Sequence, residues 1–575
     1  MPALEDSPEF CKTTLSSMVL NYPPPTIINM RQTFQSGLDR ELARMQAILN
    51  YLKNDLLIKD EDLLLIVDGT DTWFQLPSDV IIRQYQNVLA DANKRLMNQY
   101  GRDGEGAQRF NQTIIFGAEK ICEGEDLACS YAPESILPSN IYGPQTGRET
   151  ALTRAKYLDS AMMMGPAKDL RALFEAALVK FKAENSQAGT AQSVFATMFG
   201  EQELARAAKS KPGESKAKIS KWVDWFGGFA AEPKTEETKT EDEIPSVALE
   251  EGQHYEFSIG LDYTHTLFQP LVYAATDELV ALPHDNSTDL STYHHEGTPT
   301  PPLHVPTALQ QSKPPFWRPD FSKQPSPPDM KLSYIDRLEI TDSLDALKPR
   351  DTPWSSLALI QNTFTGAIPA VLHLNTPPKT ALKIATPPTA NLTWDSLWYA
   401  GFERALLRTH LRSPQSPIGY HDAAIGGDRY WDSRGGRGGV WTEKEGMWLP
   451  WGEVDGVCGT LKQLKEVLPD GKGVWLHERE QNGEQERLKA EEDYNKDRQK
   501  EKEEDEKREK EREERERKEK EEREKQQQEK KEKEKEKQQK EVEAKLKEKE
   551  KQENAAKGKE GTSPAPKRRG RRWAA

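Results

Sequence analysis

The sequence is poor in cysteine and has no long apolar run. Only four of its 575 residues are cysteines, too few for a disulfide scaffold, and their spacing fits no zinc site. Cys122 and Cys129 are close enough in sequence to bridge, although spacing alone does not establish a bridge. No apolar run approaches the ~18 residues that a membrane-spanning helix needs. Residues 1–20 begin with acidic side chains and lack the apolar centre of a signal peptide.

Charge, by contrast, is abundant and unevenly distributed. Charged residues make up 30% of the chain and hydrophobic residues 35%, and the mean hydropathy is -0.82. Most of this polarity lies in 480–551, which consists almost entirely of Glu, Lys, Arg and Gln. The net charge of -14 argues against a surface that binds nucleic acid throughout.

These composition shifts predict three regions. Residues 1–410 have globular composition and are expected to form one large domain with inserts near 204–245 and 297–330. Residues 411–479 are rich in Gly and Trp, and we expect an irregular extension there. The remainder, 480–575, is a charged low-complexity tail.

The tail has opposite charges four residues apart and no sustained apolar seam. This pattern favours a long solvated helix or a disordered polyampholyte over a coiled coil. The tail ends in a basic cluster at 567–572, which is either a nuclear-import or RNA-contacting signal or simply solvated chain. A protein partner of the tail is a further hypothesis.

Helix and strand patterns alternate in the globular part. Helices are predicted at 9–20, 40–52, 78–99 (capped by Ser78) and 169–182, and strands at 26–28, 63–67, 113–116 and 367–374. The run 63–67 is short, apolar and continuous, as in parallel strands covered on both faces. The alternation predicts an α/β protein with an open, mostly parallel sheet.

The most informative residues for chemistry are Asp68 and Asp71, which follow the apolar run. Ligands of open α/β sheets bind at the carboxyl ends of strands. Two carboxylates there can share a hard divalent cation, which in turn neutralises a diphosphate. A capped turn is the alternative, because Asp-Gly-Thr-Asp also favours a tight turn. A haloacid-dehalogenase-type phosphatase fits less well, because it needs its second Asp where Thr70 stands.

Five segments in a fixed order resemble the glycosyltransferase domain of the lysyl hydroxylases, and especially fungal relatives of that domain. They begin with Val-Asp-Gly-Thr-Asp and end with His-x-Asn, and they lie at 67–71, 115–122, 156–165, 260–269 and 368–375. The resemblance implies a GT-A fold, which is a Rossmann-like nucleotide-sugar-binding sheet. It also implies bound Mn²⁺, a UDP-sugar donor and transfer to an acceptor hydroxyl.

The resemblance also implies roles for individual residues. Asp68 and Asp71 would hold the metal against the donor diphosphate. Glu119 and Asp159 would be the catalytic carboxylates, at the acceptor or the donor sugar. Glu119 alternatively pairs with a neighbouring cation.

Three further residues would contact the donor. Trp73 would shape its pocket, and His373 and Asn375 would lie near the diphosphate. Buried core positions are the alternative for both: a Trp is as often a core residue as a pocket residue, and His373 stands beside an apolar run.

The chain departs from the family pattern in ways that bear on activity. The family has a metal-binding His where this chain has Tyr263, and a phenol is a poor ligand at neutral pH because its pKa is ~10. His265 is the nearest imidazole and would lie on the same face of a strand, so we expect it as third metal ligand. The family's catalytic Asp is replaced by Ala191, which can neither accept a proton nor orient a hydroxyl.

Two main hypotheses follow. The first is an active, metal-dependent glycosyltransferase, and the second is an inactive relative that binds ligands or acts as a scaffold through its tail. The family's opening strand is expected before residue 9, so we expect either a truncated start or a partly lost donor pocket. The sequons at Asn111, Asn286 and Asn391 matter only in the secretory pathway. The sequence leaves the compartment open between that pathway and the cytoplasm, and it identifies neither sugar nor acceptor.

Overall fold

A computed structural model describes most of the first 474 residues. The described residues are 1–54, 56–122, 127–183, 190–209, 249–250, 252–299, 301–317, 347–374, 392–412, 438–468 and 474, with scattered positions between 492 and 549. The chain divides into two compact units, Met1–Glu491 and Glu492–Ala575. Most of the expected inserts, together with Asn375, Asn391 and the basic end, lie outside the described residues.

The first unit alternates helices with short strands. Its helices are α1 (Pro8–Val19), α2 (Gly37–Leu52), α3 (Ser78–Tyr100), α4 (Leu127–Tyr131), α5 (Ala167–Ala183), α6 (Ala191–Lys209), α7 (Thr307–Gln310), α8 (Glu403–Arg412) and α9 (Leu461–Val467). Its strands are β1 (Thr26–Ile27), β2 (Leu63–Val67), β3 (Thr72–Phe74), β4 (Ile114–Glu119), β5 (Tyr157–Pro166), β6 (Ile259–Leu261), β7 (Phe268–Pro270), β8 (Leu279–Leu282), β9 (Leu359–Asn362), β10 (Val371–His373), β11 (Gly439–Thr442), β12 (Trp448–Glu453) and β13 (Val457–Cys458). The protein is therefore of mixed α/β class.

The central sheet has the order β2-β5-β4-β6. β5 is antiparallel to both β2 and β4, and only β4 and β6 run parallel. The predicted strand at 63–67 is confirmed, but the mostly parallel sheet is wrong. The apolar run arises because both faces are covered: Ile66 packs into one hydrophobic cluster and its neighbour Val67 into another. A strand covered on both faces is apolar throughout, whichever way its neighbours run.

Three short strands form a second sheet. It has the order β3-β10-β7, with β10 antiparallel to β3 and parallel to β7. β8 and β9 form a separate antiparallel pair. Of the strand predicted at 367–374, only Val371–His373 forms β10.

The predicted helices of the N-terminal half are confirmed within a few residues. α1 begins after Ser7, whose Oγ accepts a hydrogen bond from the Phe10 backbone N–H at 3.2 Å. Ser78 does not cap α3 as expected. It is the first residue of that helix, and its hydroxyl donates to the Asn21 carbonyl at 2.7 Å.

The described part of the Gly- and Trp-rich region, mainly 438–468, is more regular than expected. β11, β12 and β13 form a sheet with β1, to which β11 is parallel. A disulfide joins Cys11 of α1 to Cys458 of β13, and a second joins Cys122 to Cys129. The strands are short because Gly and Pro interrupt them, which is why their pattern did not predict them.

In the second unit, the described positions are helical and exposed. Glu and Lys side chains pair one helical turn apart, as at Glu514 and Lys518 with 2.8 Å between charged atoms. Across the part of the chain that the structure describes, no helix combines the length and apolarity required to cross a membrane.

Candidate functional site

A tight turn follows β2 and carries the first two candidate ligands. Asp68 Oδ1 accepts hydrogen bonds from the Thr70 backbone N–H at 2.9 Å and from its hydroxyl at 2.8 Å. Gly69 packs so closely that a Cβ there would lie 2.6 Å from the Pro2 carbonyl oxygen. The structure therefore contains the predicted tight turn, and both Asp68 and Asp71 lie in it, directly after β2. The capped-turn alternative and the ligand-site hypothesis describe the same residues.

Strand pairing brings His373 to this turn. In the β3–β10 pair, His373 lies opposite Thr72, directly after Asp71. The backbone N–H of Leu374 donates to the Asp71 carbonyl at 2.8 Å, which ties the end of β10 to the turn. Residues about 300 positions apart in the chain are therefore neighbours here.

A bulge in β5 brings Asp159 to the same place. Phe116 of β4 pairs with Met163, yet the next residue, Gly117, pairs with Asp159, so the intervening residues of β5 form a short loop away from β4, although Met162 still pairs with Val67 of β2. Gln192 holds the loop: its Oε1 accepts from the Ser160 N–H at 2.8 Å, and its Nε2 donates to the Leu158 carbonyl at 2.6 Å. Asp159 Oδ2 then lies 3.5 Å from His373 Nδ1.

The charges at this point influence one another. Burial tends to raise the pKa of the Asp68 carboxyl, but the Arg44 guanidinium, the Thr70 hydrogen bonds and His373 outweigh it and hold that pKa below its ordinary value. For His373, burial tends to lower the pKa, but Asp159, Asp68 and Asp71 outweigh it and raise the pKa. The cluster of Asp68, Asp71, Asp159 and His373 therefore combines an Asp68 carboxylate that keeps its charge more readily than usual with an imidazole that retains its proton more readily than usual.

Three buried polar atoms in the cluster make no hydrogen bond to any described residue. They are Asp159 Oδ2, His373 Nδ1 and Thr72 Oγ1. The 3.5 Å contact between Asp159 and His373 is an ion pair without hydrogen-bond alignment. Buried polar atoms are seldom left unpaired, because each costs about 1–3 kcal/mol. Their concentration beside two further carboxylates fits a cation or a polar ligand.

A pocket of about 410 Å³ opens beside the cluster. Glu119 and Asp159, both predicted as catalytic carboxylates, line it, and so does Ala191. Glu41 and Arg44 of α2 form part of its wall. Asp159 belongs both to the pocket and to the cluster, so the two are continuous.

The other predicted residues lie elsewhere. Trp73 is buried and packs edge-on against Trp394 at 5.8 Å between ring centres, as its core alternative predicts. His265 is buried and its Nδ1 lies 3.0 Å from the Phe268 carbonyl. The charged groups that act on His265 are Asp262, Glu278 and Lys120.

The structure does not bring His265 together with Asp68 and Asp71. His265 precedes β7, whereas His373 lies opposite Pro270 at the far end of that strand. The imidazole next to the Asp68 turn is thus that of His373. Tyr263 is buried, with burial raising the pKa of its hydroxyl, and Arg95 and Arg206 are among the charges near it.

No closed three-ligand set exists at the turn within the described chain. Among all described residues, one group has three potential ligand atoms that lie within 4.8 Å of one another. It consists of Asp6, Cys11 and Cys458, none of which belongs to the turn. Its cysteines are joined in a disulfide, which removes both thiolates as ligands. In the part of the chain that the structure describes, Asp68 and Asp71 belong to no such group.

Sequence reasoning did not single out Glu41, Arg44 or Gln192. Glu41 and Arg44 follow the ordinary polar pattern of an amphipathic helix, which carries no sign of a pocket. Gln192 follows Ala191, at a position where the family carries an Asp-Gln pair. That match was the one signal in the sequence that pointed to Gln192.

Comparisons with known proteins do not identify a family. The sequence matches no protein-family model, and no curated protein matches it. The resemblance to the lysyl hydroxylase glycosyltransferase domain therefore stays a prediction based on its motifs.

Proposed function

We propose that this protein is a metal-dependent glycosyltransferase of GT-A type that transfers a sugar from a UDP-sugar to an acceptor hydroxyl. The observation that carries the proposal is the convergence of Asp68, Asp71 and Asp159 around His373, together with the pocket that Asp159 lines. These residues come from β2, β5 and β10, and two of them have buried atoms with no hydrogen-bond partner among the described residues.

The carboxylates Asp68 and Asp71 are the residues that would hold a divalent cation, because oxygen ligands are those that Mn²⁺ and Mg²⁺ prefer. When bound, the metal supplies charge stabilisation to a leaving diphosphate. Burial tends to lower the pKa of His373, but Asp159, Asp68 and Asp71 raise it, so the imidazole holds a proton more readily than usual and would donate it to an anionic oxygen. His265 is not part of this assignment.

The pocket carboxylates provide the hydroxyl contacts. Glu119 and Asp159 can each accept hydrogen bonds from sugar or acceptor hydroxyls. Gln192 fixes the β5 loop that holds Asp159, which reduces the reorganisation needed when a ligand binds.

Ala191 favours a second candidate, a protein that binds the donor without turning it over. Its methyl group lines the pocket where the family has a carboxylate. A site that lacks this group loses a base or an orienting contact, whereas Asp68, Asp71 and His373 would still contact a bound donor.

The test is release of UDP from UDP-glucose, UDP-galactose and UDP-N-acetylglucosamine by the full chain with Mn²⁺. The first candidate predicts release from at least one donor and its loss in Asp159→Asn, with the exposed Glu149→Gln as control. The second predicts no release by the wild type and gain of release in Ala191→Asp. Release that Asp159→Asn leaves unchanged would contradict both.

A further inference from the structure

The pocket wall is charged in an uneven way. Three carboxylates line it, from Glu41 on α2, Glu119 at the end of β4 and Asp159 in the β5 bulge. Among the described residues that line it, Arg44 is the single cation. A ligand with one anionic end therefore has one cationic side chain, Arg44, to which that end can bind.

Arg44 is available for such a ligand. Within the described part of the chain its guanidinium donates no hydrogen bond and forms no ion pair, and the residue is half-buried. By contrast, Arg206 makes two hydrogen bonds to Glu256, at 2.6 and 2.7 Å.

The position of Arg44 on α2 explains why it faces the pocket. Met45, Ile48 and Leu49 point into the hydrophobic core, so Arg44 stands at the margin of that apolar face. Arg40, one turn earlier, is 51% exposed and lies 3.7 Å from Glu41. The two arginines share a helix and differ in whether they reach the pocket.

Arg44 also connects the pocket to the Asp68 turn. It is the main attractive charge acting on the Asp68 carboxyl. An anion bound by Arg44 would thus lie next to the carboxylates assigned to the metal, where a diphosphate is needed. Glu119 and Asp159, which come from β4 and β5, would repel the same anion.

We propose that Arg44 is the anion-binding residue of this pocket, taking the diphosphate of a nucleoside-diphosphate sugar and directing its sugar toward Glu119 and Asp159. This inference rests on the proposed function and adds the residue that orients the donor. The planar guanidinium can bind two phosphate oxygens at once, whereas lysine offers one point charge. Arg44→Lys should therefore retain part of the affinity and Arg44→Gln very little.

The experiment is calorimetric titration of the full chain, with Mn²⁺, by UDP, uridine and inorganic pyrophosphate. We expect Arg44→Gln to weaken UDP and pyrophosphate at least about tenfold, which corresponds to ~1.4 kcal/mol. Uridine has no phosphate and should bind both proteins equally. Arg40→Gln is the matched control and should bind all three as the wild type does.

The outcomes separate the two proposals. If the wild type binds UDP and Arg44→Gln binds it equally well, the Arg44 inference is overturned and the proposed function stands. If the wild type binds pyrophosphate through Arg44 but not UDP, the anion site stands and the UDP-sugar function fails. Binding of neither ligand overturns both. If Arg44→Gln unfolds at a much lower temperature than the wild type, Arg44→Lys provides the test instead. An anion contact predicts that this variant binds UDP with intermediate affinity and unfolds at the wild-type temperature, and wild-type affinity in a stable Arg44→Lys would contradict the bidentate contact.

Discussion

Lys120 stabilises the end of β4, the strand that carries the pocket residue Glu119. Its Nζ donates to Glu278 Oε2 at 2.5 Å and to the Ala151 carbonyl at 2.5 Å, deep in the protein. The other Glu278 oxygen accepts from the Tyr142 hydroxyl and from Asn362, each at 3.1 Å. Because Lys120 directly follows Glu119, this network fixes the end of β4 at the pocket.

Removing the carboxylate of this pair should be costly. Glu278→Gln leaves the Lys120 charge buried without its counter-charge, and we expect a loss of about 3–5 kcal/mol in the free energy of unfolding at pH 7. The control is Glu175→Gln, which breaks the exposed 2.6 Å pair with Lys53 and should cost about 0–1 kcal/mol. Urea denaturation measures both, and equal losses would contradict the assigned role.

The same pair predicts a pH dependence. Burial tends to raise the pKa of Glu278, but the charge and hydrogen bond of Lys120 outweigh it and lower the pKa below the ordinary 4.5. A depressed carboxyl pKa contributes stability above about pH 4.5 that is lost as the pH falls through the folded-state pKa. The unfolding free energy of the wild type should therefore drop more steeply below pH 4.5 than that of Glu278→Gln. Parallel curves would rule out this contribution.

At the scale of elements, the β5 bulge places Asp159, and Gly117 makes room for it. A Cβ at position 117 would lie 3.2 Å from Asp159 Oδ2 and 3.3 Å from its Cβ. Gly117→Ala should cost about 1–3 kcal/mol of stability and weaken UDP binding, because Asp159 must shift. Gly104→Ala is the control, since a Cβ there meets nothing within 4 Å. Thermal unfolding and UDP titration that do not distinguish the two variants would exclude this role.

The sequence predicts elements well where their pattern is local. α1, α2, α3 and β2 follow from periodicity or from a continuous apolar run, and all are present. The direction of β5 and its bulge do not follow, because strand pairing depends on partners far away in the chain. β11 and β12 were missed for a related reason: Pro450 and Gly452 interrupt the pattern that would reveal β12.

At the scale of the whole molecule, the Cys11–Cys458 disulfide connects residues 447 positions apart. A disulfide that closes so long a loop strongly restricts the unfolded chain. Removing such a disulfide typically lowers the free energy of unfolding by about 2–4 kcal/mol. We expect the Cys11→Ser/Cys458→Ser variant to unfold at lower temperature than Cys122→Ser/Cys129→Ser, whose residues are 7 apart. Calorimetry under non-reducing conditions tests this ranking, and the reverse order would contradict it.

The candidate site was predictable only in part. Asp68 and Asp71 are visible locally because they follow an apolar strand, and Glu119 and Asp159 were singled out through the family resemblance. That His373 rather than His265 adjoins the Asp68 turn depends on the register of β10 against β3 and β7. Arg44 could not be singled out, because a helix shows which side chains face outward but not which pocket they meet.

The most direct measurement is calorimetric titration of UDP into the full chain with and without Mn²⁺. The account predicts metal-dependent binding that disappears in Asp68→Asn/Asp71→Asn. Asp285→Asn is the control, because Asp285 accepts the same pair of turn hydrogen bonds, from the Ser287 N–H and hydroxyl, on the surface. A folded wild type that binds no UDP, or that binds it equally without the metal or without the two aspartates, would contradict the account.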